Sequence, residues 1–150
     1  MKILLDTNLL LRLDDQAHPM HAEAVAAVDW LDVHRHDPVL IPQVLYEYWV
    51  VATRPINVNG LGVSVDHAHE AIMEWTSLFE LLLEERVFPE WNALVFRHQV
   101  KGKLAHDTRL VASMQKNKIT TLLTFNKPDF ARFTTINVYS PNDVLAGRLP

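Results

Sequence analysis

An α/β domain, with a central parallel sheet and helices on both of its faces, is the architecture this chain predicts. Three observations carry that expectation. The strand candidates are short continuous aliphatic runs, such as Ile3-Leu4-Leu5 and Val39-Leu40-Ile41, not runs that alternate apolar with polar residues. A strand covered on both faces has that pattern. These runs alternate with longer segments whose apolar residues recur at helical spacing. Finally, no repeat, low-complexity tract or linker divides the sequence, so its 150 residues are expected to form one domain over 1–150.

Taken in order, residues 2–6 form a buried strand, and Thr7 and Asn8 suit the start of a short helix running through Leu13. Pro19 opens a longer helix to about residue 35, with Ala24, Val25, Val28 and Leu31 along one stripe. A second strand spans 39–41, and Pro42 begins a helix to about residue 54. Residues 55–64, with Gly60 and Gly62, form a loop. A helix over 65–78 follows, while 78–87 reads equally as helix or strand. Two helices, 89–100 and 103–116, are separated by Gly102. Strands at 119–124 and 136–139 flank a helical turn over 128–133, and 141–146 forms a short closing helix. Parallel sheets bind ligands beyond the carboxyl ends of their strands. Asp6, Thr124 and Asn126 fall at such ends.

Composition narrows the function classes. The apolar fraction of 49% and charged fraction of 21% are ordinary for a soluble domain. Without cysteine there is no disulfide or thiolate metal site, and a cytoplasmic location is expected. Met1-Lys2-Ile3-Leu4-Leu5 begins like a signal peptide, but Asp6, Asn8 and Arg12 interrupt it and no small-residue cleavage site follows. No apolar stretch is long enough to span a bilayer, so no membrane association is expected. The net charge of −4, from 18 acidic and 14 basic residues, argues against a general nucleic-acid coating protein. Lys101, Lys103 and Arg109, or Lys116 and Lys118, read as solvated faces when taken singly.

Three acids interrupt segments that otherwise read as buried. Asp6 ends the first aliphatic run. Glu47 lies on the helical row through Val44, Tyr48 and Val51. Asp107 heads the stripe continued by Leu110, Val111 and Met114. Each alone has a simpler explanation: Asp6 as a helix N-cap, Glu47 as a core-rim acid bonded to a tyrosine, Asp107 as an acid at the positive end of its helix. Together they are harder to dismiss, because carboxylates brought into apolar surroundings lose hydration and repel one another unless a cation joins them. Hard divalent ions bind through few carboxylates plus waters and phosphates, so the pattern suits phosphate chemistry.

The ordered set Leu4-Leu5-Asp6-Thr7-Asn8, Glu47 in the helix after the second strand, His106-Asp107-Thr108-Arg109-Leu110-Val111-Ala112 and Leu122-Leu123-Thr124-Phe125-Asn126-Lys127-Pro128-Asp129-Phe130 resembles the PIN-domain nucleases, across essentially the whole chain. The resemblance implies a three-layer α/β/α domain and a catalytic set of Asp6, Glu47 and Asp107. Asp6 and Asp107 would be the direct ligands of Mg²⁺ or Mn²⁺, and Asn8 and Thr124 would orient the acids. It further implies a VapC-like ribonuclease toxin that cuts RNA to leave a 5′-phosphate and a 3′-hydroxyl, forms a homodimer and is silenced by a cognate antitoxin. One departure stands out. Many family members carry a fourth acid where this chain has Asn126, which favours one metal over two, with Asp129 a partial substitute or a cap of the following turn.

Other readings use the same residues. The pairs His34/His36, His67/His69 and His18/His21 invite zinc, but positions two apart do not share a helix face and cysteine partners are absent. His106-Asp107, with Asp143 late in the chain, resembles the wholly helical HD phosphohydrolases. That reading leaves the strand ending at Asp6 without a purpose. Haloacid-dehalogenase-like phosphatases need an acid where Asn8 stands. A housekeeping PIN nuclease, or a PIN scaffold of weak activity foreshadowed by Asn126, completes the alternatives.

Overall fold

The aliphatic runs do become the sheet. The computed structural model describes residues 1–150 and contains β1 (Lys2–Leu5), α1 (Thr7–Asp14), α2 (His21–Val33), β2 (Asp37–Leu40), α3 (Pro42–Thr53), α4 (Val65–Leu78), β3 (Glu80–Leu81), α5 (Val87–Arg97), α6 (Leu104–Lys116), β4 (Thr121–Leu123), α7 (Lys127–Phe130), β5 (Asn137–Tyr139) and α8 (Pro141–Leu145). The strands pair in the order β3-β2-β1-β4-β5, and every pair is parallel. β1 lies at the centre, with Leu4 opposite Val39 of β2 and Leu122 of β4. Its residues Ile3, Leu4 and Leu5 are buried, as helices on both faces require of an unbroken aliphatic strand.

The helices fall into two packing sets. α1, α2, α3, α4 and α8 contact one another, and α6 packs with α5 and α7. This is the three-layer α/β/α arrangement. It excludes the wholly helical HD phosphohydrolase alternative, and Asp143 serves instead in a capping box with Ser140, ion-paired to Lys127 and Arg148. No helix is long and apolar enough to cross a membrane.

The chain steps outward from β1 through β2 to β3, then returns to place β4 on the other side of β1. Loops leaving β1 and β4 therefore diverge and open a crevice at their carboxyl ends, the usual ligand position in such sheets.

The undecided stretch 78–87 resolves as the end of α4 and a two-residue edge strand, β3, held by Leu82 N–H donating to the Leu40 carbonyl at 2.8 Å. Other boundaries shift modestly. α2 starts at His21, two residues past Pro19. β2 starts earlier than expected, at Asp37. α5 runs Val87–Arg97, so it begins before Pro89 and ends short of Val100. Pro89 is thus an interior first-turn residue, where a missing N–H costs nothing.

Candidate active site

Asp6 leaves β1 at the crevice and caps α1. One oxygen, Oδ1, accepts the backbone N–H of Thr7 at 2.7 Å. Oδ2 accepts from Asn8 Nδ2 at 2.8 Å and from the Thr124 hydroxyl at 2.6 Å. Asn8 also donates to Thr124 Oγ1 at 2.9 Å and accepts the Phe125 N–H at 3.0 Å. Thr124 lies just past β4, so these bonds lock the two diverging loops together. The cap explanation for Asp6 is therefore true, but incomplete. A cap on a solvated helix end is ionised without strain, whereas burial pushes the Asp6 carboxyl up to about 6 despite these bonds, with the charges of Asp107 and Glu47 adding to the effect.

Glu47, half-buried on α3, faces the same place. Its Oε2 accepts from the Thr7 hydroxyl at 3.0 Å, and its Oε1 accepts from Gln43 Nε2 at 2.8 Å. No tyrosine holds it. Tyr48 is buried on a different face and donates to Asp14 at 2.8 Å. Gln43 Nε2 also donates to the His106 carbonyl at 2.8 Å, which ties α3 to the start of α6 beside Asp107.

Asp107 sits in the first turn of α6, where the helix dipole favours an anion. Even so, its carboxyl is pushed up to about 6, first by burial and then by the charges of Asp129 and Glu47, with His106 and Lys103 acting the other way. Asp129 thus belongs to the same acidic neighbourhood and accepts a hydrogen bond from the Asn126 amide. Asn126 is exposed, and its backbone N–H donates to Thr124 Oγ1 at 2.9 Å.

None of Asp6, Glu47 and Asp107 forms a salt bridge; the chain's ion pairs lie elsewhere. A hollow of about 580 Å³ opens over this ground, with Thr7, Glu47, Lys103, His106, Asp107 and Arg54 among its walls. Asp6 lies beneath and is 7% exposed.

Some side chains prove to be otherwise engaged. Arg109 pairs with Glu84 at 2.8 Å and donates to Gln43 Oε1 at 2.8 Å, and Lys127 pairs with Asp143 at 2.6 Å. The histidine pairs do not assemble a metal cluster: His34, His67 and His69 are exposed, and His67 contacts Asp14 at 2.6 Å. Sequence reasoning missed Thr7, Gln43 and Glu84. Glu84, which also accepts the Gln43 N–H at 2.8 Å, buttresses α3 from behind. One signal was present: Gln43 lies one helical turn before Glu47, the spacing at which side chains meet.

By sequence the chain matches no family model and no curated protein. In three dimensions it is similar to solved toxin structures over nearly all of its length. A chain of VapBC2 from Rickettsia felis, bound to a DNA fragment from the promoter, matches with a TM-score of 0.68 and 14% identity, covering 93% of this chain and 98% of that one. VapC20 from Mycobacterium tuberculosis, a sarcin-ricin loop cleaving toxin, matches with a TM-score of 0.65 and 16% identity over 87% of this chain and 95% of its own. A toxin-antitoxin complex from Klebsiella pneumoniae matches with a TM-score of 0.62 and 21% identity, over 93% and 97%. The fold is that of the VapC-like PIN-domain toxins.

The donor chemistry suits the divalent ion that such a fold implies. The carboxylates do not close into a ready three-ligand cage. Mg²⁺ does not need one, since it binds through one or two carboxylates and fills the remaining positions with water and phosphate oxygens. Two carboxyls whose ionisation is resisted by burial and by neighbouring carboxylates, with neither in a salt bridge, are a fitting donor set.

Proposed function

We propose that this chain is a Mg²⁺- or Mn²⁺-dependent endoribonuclease and the toxin of a toxin–antitoxin pair. The observation that carries the proposal is the meeting of Asp6, Glu47 and Asp107, from segments remote in sequence, at the crevice of a VapC-like fold, with none of the three in a salt bridge. Asp6 and Asp107 hold the ion. Such an ion supplies a nucleophilic water at neutral pH and neutralises charge on the attacked phosphate.

The chain's own residues do the rest. Asn8 and Thr124 fix the Asp6 carboxylate through its Oδ2, so that its orientation does not depend on the substrate. Thr7 and Gln43 hold Glu47 in the same way, leaving it lone pairs with which to orient the attacking water. Asp129 and Asn126 border the site on the β4 side and position substrate. Hydrolysis adds water across the P–O3′ bond, giving a 5′-phosphate and a 3′-hydroxyl. With Asn126 in place of a fourth acid, one ion suffices, completed by the substrate.

The similarity to toxin–antitoxin complexes supports a cognate antitoxin as partner. A homodimer and a cytoplasmic location complete the reading. The test is cleavage of structured RNAs in Mg²⁺ or Mn²⁺. Wild type is expected to cut, and EDTA or Asp107→Asn to abolish cutting. Cleavage by Asp107→Asn at the wild-type rate would refute the assignment. Absence of cleavage by wild type would favour the scaffold alternative that Asn126 suggests.

A further inference from the structure

Arg109 follows Asp107 by two residues on α6, a spacing that turns it about 200° around the helix from the acid. It does not line the hollow over the acids. It lines a separate one of about 430 Å³, together with Glu84. A cation turned away in this manner is badly placed to meet a phosphate lying over Asp6 and Asp107. Even so, an unbroken chain of bonds joins it to the site.

That chain runs through one side-chain amide. Gln43 is 5% exposed. Its Oε1 accepts from Arg109 Nη1 at 2.8 Å, while Nε2 donates to the His106 carbonyl and to Glu47 Oε1, each at 2.8 Å. A guanidinium only donates, whereas a carbonyl and a carboxylate only accept, so these three partners admit a single orientation of the amide. Reversed, it would set an oxygen against two oxygens and N–H against N–H. The guanidinium charge at Oε1 also polarises the amide and strengthens the N–H that reaches Glu47. Thr7 holds the other Glu47 oxygen, Oε2, at 3.0 Å. Arg109 is held in turn by the buried Glu84 carboxylate, which also accepts from the Ser113 hydroxyl at 2.7 Å and the Gln43 N–H at 2.8 Å. Of the chain's ion pairs, this one alone is bonded to a residue that holds one of the three acids.

We propose that Arg109 is a positioning residue for hydrolysis: through Gln43 it fixes the Glu47 carboxylate towards the attacking water, without touching substrate or ion. The inference rests on the nuclease reading and adds to it the remote cation on which the orientation of Glu47 depends.

The test is a double-mutant cycle on RNA cleavage by the full-length chain, comparing Arg109→Met, Gln43→Ala and the pair. It reads kcat and KM, with Mn²⁺ binding and Tm measured alongside. Arg109→Met is expected to lower kcat about 10–100-fold, the usual cost of losing a partner that orients a site residue, with KM and Mn²⁺ binding unchanged. The pair should lose no more than Gln43→Ala alone, because the effect travels through that amide. Arg109→Lys keeps a donor and a charge for Glu84, and should recover most of kcat. A rise in KM with kcat intact would overturn the proposal and make Arg109 an RNA contact. Losses that multiply in the pair, or a lower Tm with kcat unchanged, would overturn it as well. A second readout does not depend on cutting. In ¹⁵N spectra the Gln43 side-chain N–H protons should exchange slowly in wild type and rapidly in Arg109→Met. That difference without cutting by wild type would remove the nuclease and leave the hold on Glu47. Equal exchange in the two proteins would remove the hold, whatever the activity.

Discussion

Asp107 has the fewest supports of the three acids, and this makes its role easy to separate from a structural one. Its ordinary carboxyl value of 3.8 is raised to about 6 in the fold. As pH rises from 3.8 towards 6, the unfolded chain ionises at this position before the folded chain does. Stability is therefore lost across that window and stays lost above it. Asp107→Asn should stabilise the metal-free protein at about pH 7.5 by up to about 1 kcal/mol, once solvent screening is discounted, and should have no effect below the window. Thermal melts of both proteins at the two pH values check this. A helix-dipole acid would behave the opposite way, since removing it costs stability. Asp6, Glu47 and Asp107 were legible because each breaks an apolar pattern. Thr7, Gln43 and Glu84 were not, because a polar residue beside a helix start or in a loop is what any surface would show. Their roles appear only when α3, α6 and the segment after β3 are brought together.

Helix ends were less legible than helix bodies, for a specific reason. α2, α5, α6 and α8 all end with a left-handed residue followed by an N–H that bonds back to the carbonyl five residues earlier. Only α8 uses glycine there, Gly147; the others use Arg35, Gln99 and Lys118. With glycine as the stop signal, a helix expected over 89–100 runs past its true end at Arg97. The left-handed conformation is costly for a residue with a Cβ. Lys118→Gly, at φ 57° and with Ile119 N–H already bonded to the Met114 carbonyl at 2.9 Å, should therefore raise stability by about 0.5–1 kcal/mol. Denaturant titration measures this, and RNA cleavage should be unchanged, since the position is remote from the acids. The edge strand β3 was ambiguous for another reason. Two exposed residues carry no periodicity, and only pairing with Val39 and Leu40 makes them a strand.

The parallel sheet followed directly from unbroken aliphatic runs between helices, but its strand order did not. Nothing in the runs themselves says that β4 returns to the far side of β1, and that return brings Thr124 to Asp6. The packed sheet then sets a conflict that the chain does not resolve by itself. Folding gathers carboxylates whose ionised forms repel, beside the loops of β1 and β4, without a counter-charge in contact. A divalent ion, as proposed above, would resolve that conflict, and binding to the folded state alone would stabilise it. At a concentration one hundred times its dissociation constant, the gain is about 2.7 kcal/mol, or about 5–11 °C in Tm for a chain of this size. The most direct measurement is therefore a Mn²⁺ titration of the wild-type chain, Asp6→Asn and Asp107→Asn, read by bound Mn²⁺ and by Tm. One ion per wild-type chain, with a rise in Tm that both substitutions remove, is the predicted result. Wild type that takes up no Mn²⁺, or variants that bind it as tightly as wild type, would contradict the account.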